Sequence, residues 1–189
     1  KNSLLLPNEV RPASEWEEKV AFLYKKYEDY KLQEGLFDFD DMLIGCYQLL
    51  STSPSLLLHY QNRFHYFLID EFQDINKVQY ELIKLLSGKH KNVCAVGDDD
   101  QAIYSFRGSD PSYLLEFEKD FPNAKMVTLN QNYRSSHEIV TAANQMIAAN
   151  KIRRTKKMQS QFSAGGLPLL FFPHDEEEEA TMIVTDIQG

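Results

Sequence analysis

Two short apolar runs, His65-Tyr66-Phe67-Leu68-Ile69 and Val93-Cys94-Ala95-Val96, each give way to carboxylates within two residues, and a helical pattern lies between them. This arrangement constrains the fold more than any other part of the chain. A nearly continuous apolar run of this length is the mark of a strand covered on both faces. Between the runs, Val78, Leu82, Leu85 and Leu86 recur at helical spacing before Gly88. Strand, helix and strand predict a right-handed crossover unit of a parallel sheet, and hence an α/β protein. In open parallel sheets ligands sit outside the carboxyl ends of the strands, so the residues that follow each run are the first candidates for chemistry.

The remaining elements fall around this unit. Ser14 and Glu17 have the spacing of a capping box, followed by a stripe of Trp16, Val20, Leu23, Tyr27 and Tyr30 that ends at Gly35. A second helix is expected from Asp38 through Leu43, Cys46 and Leu50, and a third from Ser53-Pro54. Asp110-Pro111 opens another. Met126 to Leu129 and Leu167 to Phe172 read as further strands, with a helix between them opened by Ser135 and Glu138 as a second capping box. Asp175 to Glu179 is an acidic run suited to the N-terminus of a last helix, where carboxylates meet the favourable end of the dipole.

Composition narrows the function classes. The net charge of −8 is unlike that of a domain whose whole surface grips phosphate, so nucleic-acid contact has to be local. The basic cluster Lys151, Arg153, Arg154, Lys156 and Lys157 reads either as a solvated face or as such a contact. No apolar run approaches the roughly 18 residues of a membrane-spanning helix. Two cysteines, Cys46 and Cys94, lie in apolar stretches and read as reduced core residues of a cytoplasmic protein. The histidines have no metal-ligand spacing.

Three segments carry candidate chemistry. The first apolar run ends in Asp70-Glu71-Phe72-Gln73-Asp74. A carboxylate at that place can hold Mg²⁺, usually through water, and its neighbour can orient a nucleophilic water; the plain alternative is a polar strand end with Asp74 capping the next helix. The second run leaves through Gly97 into Asp98, Asp99, Asp100 and Gln101, then Tyr104, Phe106 and Arg107. Two aromatics with an arginine suit stacking on unpaired bases, or else both rings are core. The third segment is Gln131-Asn132-Tyr133-Arg134-Ser135, where Arg134 is suited to phosphate and Tyr133 to stacking, or to a surface and a packing role respectively.

In order and spacing these segments resemble the UvrD/Rep-like superfamily 1 DNA helicases, from about Tyr24 to the end of the chain. Asp70 to Asp74 is similar to their Walker B motif, Gly97 to Gly108 to motif III, and Gln131 to Ser135 to motif IV; Asp38-Phe39-Asp40-Asp41 is similar to a segment upstream of Walker B. Ala102 and Ser109 stand where the family often has Ser and Ala. The resemblance implies ATP and Mg²⁺ as cofactors. Asp70 and Glu71 would serve the metal, with Glu71 the catalytic carboxylate. Gln101 would sense the γ-phosphate, Arg134 would stabilise its developing charge, and Tyr133 would stack on adenine. Tyr104, Phe106 and Arg107 would meet single-stranded DNA.

The resemblance also implies a partial RecA-like parallel-sheet motor domain with N-terminal helices and the beginning of a second RecA-like domain. Residues 1–36 would be the remnant of an inserted helical subdomain, 37–125 the C-terminal part of the first ATPase domain, and 126–189 the start of the second. The implied parent is an ATP-dependent helicase that moves along single-stranded DNA, usually 3′ to 5′, in replication, repair or recombination. It would act at duplex junctions, beside repair or recombination proteins and away from membranes. The sequence contains no Gly-x-x-x-x-Gly-Lys-Ser/Thr phosphate loop: its Gly88-Lys89 is followed by His90, and Ile83 stands where the first glycine belongs. The chain is therefore expected to be an internal fragment, inactive in isolation. Two other readings stay open: a non-catalytic binding or assembly module that keeps the fold, and a metal-dependent nuclease built on Asp70, Asp74 and Asp98 to Asp100.

Overall fold

The structure is a computed structural model that describes residues 3–188; Lys1, Asn2 and Gly189, where the first and last expected segments begin and end, lie outside the described residues. The chain forms two compact units, one up to Met126 and one from Val127.

The first unit begins with three helices, α1 (Glu15–Glu34), α2 (Phe39–Thr52) and α3 (Pro54–Arg63). Ser14 caps α1 through Glu17 N–H at 3.2 Å, but the Glu17 carboxylate accepts from Ala13 N–H rather than Ser14, so the expected box closes one residue upstream. Gly35, at φ 66°, ends the helix in the left-handed conformation that glycine adopts without a Cβ penalty. The box at α2 is complete: Asp38 accepts from Asp41 N–H and Asp41 from Asp38 N–H. Pro54 at the first helical position starts α3.

Strand β1 (Phe67–Ile69), helix α4 (Lys77–Ser87) and strand β2 (Val93–Ala95) follow, and β1 pairs with β2 in parallel with Ile69 level with Ala95. Asn76 caps α4 in a reciprocal box with Gln79, so Asp74 is not the cap. Two short helices, α5 (Ser112–Leu115) and α6 (Phe117–Asp120), close the unit. One core cluster joins α2 and α4 through Ile44, Leu50, Val78 and Leu82. A second gathers Phe72, Ile75 and Tyr80 against Ile69, Ala95, Tyr113, Leu114 and Phe117. Tyr80 also donates to Asp120 at 2.5 Å. Burial and that bond push the Tyr80 phenol well above its ordinary range, and the same bond, with Lys84 nearby, lowers the Asp120 carboxyl.

The second unit holds strands β3 (Gln131–Asn132) and β4 (Gln159–Ser160), paired in parallel, and helices α7 (His137–Ile147) and α8 (Glu176–Gln188). The acidic run supplies the first turn of α8, with Asp175 accepting from Glu178 N–H. This mixed architecture with small parallel sheets agrees with the partial RecA-like fold that the resemblance implies.

Several expectations fail, for one physical reason. The α1 stripe is exposed, Trp16 to 72%, and the buried residue of that helix is Lys31. Met126 to Leu129 and Leu167 to Phe172 form no strand; Val127, Leu129, Leu167 and Phe172 are exposed. Along β1 and β2 only alternate residues turn inward, leaving Leu68 and Cys94 outward and level with each other. Cys94 and Cys46 are thus exposed thiols, not core residues. An apolar run states that a surface needs covering; among the described residues nothing covers these. At α7 the cap is Ser136, not Ser135, and Glu138 accepts from Gly165 N–H instead of closing a box.

Candidate functional site

The site grows from the level ends of β1 and β2. After Ile69 the chain turns sharply: Glu71 has φ 50° and ψ 43°, a left-handed conformation costing a side chain about 1–3 kcal/mol. Hydrogen bonds and burial hold the turn in place. Val96 N–H donates to Ile69 O at 2.8 Å, Phe72 N–H to Val96 O at 2.9 Å, and Asp74 N–H to Glu71 O at 2.9 Å. Phe72 is fully buried, edge-on to Tyr80 and Phe117. Asp70 accepts from the Glu71 amide through Oδ1 and is exposed at the strand end.

Gln73, 1% exposed, spans the two strand ends. Its Nε2 donates to Glu71 Oε2 at 2.7 Å and its Oε1 accepts from Asp98 N–H at 2.9 Å. The backbone donor at Asp98 dictates which end of the amide faces it, and so which end faces Glu71. Gly97 is the reason the strands approach so closely: a Cβ there would lie 2.7 Å from Gln73 Oε1 and 3.2 Å from Phe72 N. Asp98 continues the chain of contacts, accepting from Asp100 N–H and, at 2.8 Å, from Gln101 Nε2. Glu71, Gln73, Asp98 and Gln101 are therefore joined in series, while Gln101 is exposed.

Beyond Gln101 the aromatic segment is a short 3₁₀ turn, Ser105–Arg107, not an extended stretch. Tyr104 and Phe106 still share a side, with ring centroids 6.1 Å apart, and the Arg107 guanidinium lies 5.0 and 5.4 Å from the two rings. Phe106 is 77% exposed, so the core alternative for that ring fails. The segment returns to the first turn: Asp110 N–H donates to Ile75 O, and Ser109 bridges Asn76.

In the second unit, Asn132 Oδ1 accepts from both Arg134 N–H and Ser135 N–H, at 2.9 and 2.8 Å. This Asx turn presents Tyr133 and Arg134 as exposed side chains between β3 and α7. Ser160 Oγ braces it by donating to Ser135 O at 2.7 Å. Glu138, beside the turn, has its carboxyl held below the usual range chiefly by the Gly165 amide.

Asp70 and Glu71 are two hard oxygen donors at one strand end, a set that suits Mg²⁺, which takes one or two carboxylates together with substrate phosphates. The wider set needed by the nuclease reading does not converge: among the described residues only Glu28, Asp38 and Asp41 bring three such ligands together, and Lys31 Nζ ion-pairs with all three, at 2.5 to 3.1 Å. Sequence reasoning missed two residues that hold the site. Gln73 carries no periodic signal, and Asn132 was visible only as part of a motif.

A family model described as the UvrD/REP helicase N-terminal domain matches residues 1–122, and one described as the UvrD-like helicase C-terminal domain matches residues 127–189. The chain is 51% identical over 184 residues to a putative ATP-dependent DNA helicase, YjcD, of Bacillus subtilis, which covers 97% of the chain and 24% of that protein. It is 40% identical over 189 residues to the ATP-dependent DNA helicase PcrA of Staphylococcus epidermidis, covering 99% of the chain and 26% of the relative. The ATP-dependent DNA helicase Rep of Buchnera aphidicola is also 40% identical, with 99% and 29% covered. The chain thus spans about a quarter of the length of the curated relatives it matches.

Proposed function

The chain belongs to the UvrD/Rep helicase family, and from that premise we propose that it is the central part of a longer ATP-dependent DNA helicase that moves 3′ to 5′ on single-stranded DNA. The observation that carries the reading is the series Glu71, Gln73, Asp98 and Gln101, which ties a strand-end carboxylate to the segment bearing an exposed aromatic–arginine cluster. A motor needs that kind of link between its hydrolytic centre and its track.

In this reading Asp70 and Glu71 hold a Mg²⁺ ion, whose charge offsets that of the ATP phosphates. Glu71 orients the attacking water. Gln101, steadied by Asp98, contacts the γ-phosphate. Arg134 acts as an arginine finger does, on charge developing at a phosphate, and Tyr133 stacks on adenine. Tyr104, Phe106 and Arg107 take a DNA base by stacking, a local contact of the kind that a net charge of −8 leaves open. Residues 1–36 belong to an inserted helical subdomain, 37–125 to the first motor domain and 126–189 to the second. The substrate is single-stranded DNA at duplex junctions, in replication, repair or recombination, and such work carries a cytoplasmic location with it. Among the described residues no helix is long and apolar enough to cross a membrane.

The test is ATP hydrolysis and strand separation by the full-length protein. Single-stranded DNA is expected to stimulate hydrolysis. Glu71→Gln is expected to keep nucleotide affinity and lower turnover by about 10²–10⁴, the usual loss for a water-activating group. Turnover within a few-fold of wild type removes Glu71 from its role.

A further inference from the structure

We propose that Gln73 is a positioning residue that ties the orientation of the Glu71 carboxylate to the Asp98–Asp110 segment, so that a base seated on Tyr104 and Phe106 acts on hydrolysis through this one buried amide. The inference rests on the helicase reading and adds a residue to it.

Three observations support the assignment. First, Glu71 is an exposed, long side chain on a strained turn, and among the described residues the hydrogen bond holding its carboxylate is the one from Gln73 Nε2. An exposed Glu without such a partner samples several rotamers, and a carboxylate that must aim a water has to be kept from doing so. Second, Gln73 cannot adjust on its own. It is enclosed, its Oε1 is committed to Asp98 N–H, and Gly97 abuts that oxygen so tightly that even a methyl group would not fit. A shift of the Asp98 backbone therefore passes to Nε2 and on to Glu71. Third, the aromatic segment is suspended from the same turn at its other end, through Asp110 on Ile75 and Ser109 on Asn76. Its two attachments thus lie within a few residues of each other on the turn that carries Glu71. Of the two, only the Gln73 attachment reaches a carboxylate at the strand end.

Two variants of the full-length protein test the proposal, each followed by steady-state ATP hydrolysis with and without single-stranded DNA and by thermal melting. Gln73→Glu keeps the shape and the acceptor for Asp98 but replaces the donor that faces Glu71, and Asp74 at 3.5 Å, with a carboxylate oxygen. The expected result is a DNA-stimulated kcat about tenfold or more below wild type, with KM for ATP within about threefold. Gly97→Ala keeps both side chains but presses chiefly on the Gln73 amide oxygen, with Leu114 Cδ2 and Phe72 N next nearest to the new methyl group. It is expected to lower DNA-stimulated kcat in the same way, with KM for ATP again within about threefold. It also decides the matter alone if Gln73→Glu does not fold. Wild-type DNA stimulation in Gly97→Ala, or losses in which kcat and KM change together and follow melting temperature, would overturn the proposal and leave Gln73 a packing residue. Failure of the helicase reading looks different: the wild-type protein itself would then show no DNA-stimulated hydrolysis.

Discussion

Two turns in this protein lead from a strand to a helix and carry candidate site residues, and they differ in how much of their shape comes from buried packing. The turn at Asp70–Asn76 is held by tertiary packing: Phe72 and Gln73 are buried, and the amides of Phe72 and Asp98 are bonded across to the neighbouring strand end. The turn at Gln131–Ser136 is shaped chiefly by its own sequence, since the Asn132 side chain accepts from the Arg134 and Ser135 amides, while Ser160 Oγ on Ser135 O and Gln161 N–H on Asn132 O brace it from β4. A turn held by packing can transmit a movement, because its side chains have fixed neighbours. A turn held by a local motif presents side chains outward and lets them reach, which suits Tyr133 and Arg134.

The contrast makes graded predictions. The largest effect is expected from Phe72→Ala, which empties the centre of the first turn and should cost about 3–5 kcal/mol of stability, read by denaturant unfolding. A cost near that of a surface substitution would show that the turn does not depend on its core. Phe106→Ala should weaken single-stranded DNA binding by about 1–3 kcal/mol in the full-length helicase and barely move the melting temperature, because the ring is exposed. A large melting shift with unchanged affinity would return Phe106 to a structural role. Asn132→Ala should cost about 1–2 kcal/mol, because two amides lose one acceptor that water can partly replace. Its cost exceeding that of Phe72→Ala would invert the comparison.

Tyr80→Phe gives the smallest effect, about 1 kcal/mol for one buried hydrogen bond, and it depends on pH. Because the Tyr80 bond lowers the Asp120 carboxyl in the folded protein, the stability it brings is present above the unfolded carboxylate value of about 3.9 and is lost as pH falls through the lower folded value. Urea midpoints of wild type and variant should therefore differ at neutral pH and converge in acid. A constant offset would mean that Asp120 is not the partner that matters.

Much was readable in the residues alone. Strand, helix and strand with carboxylates at both strand ends needed only periodicity and the rule for parallel sheets, and β1, α4 and β2 lie where those predict. Helix starts at Ser14, Asp38 and Pro54 were legible because capping bonds and the fixed φ of proline are local effects within a few residues. The acidic start of α8 was legible for the same reason. Tertiary structure decided the rest. Whether Trp16, Leu68 and Cys94 find a covering layer depends on what is packed against them, and a stripe of apolar residues does not name its partner. The role of Gln73 depends on a contact 25 residues away at Asp98, which exists because the parallel register sets Ile69 level with Ala95 and Gly97 lets the two backbones close. A glutamine reads as polar surface until that register is known, because hydrogen bonds between distant residues are set by the packing of strands and leave no period in the chain.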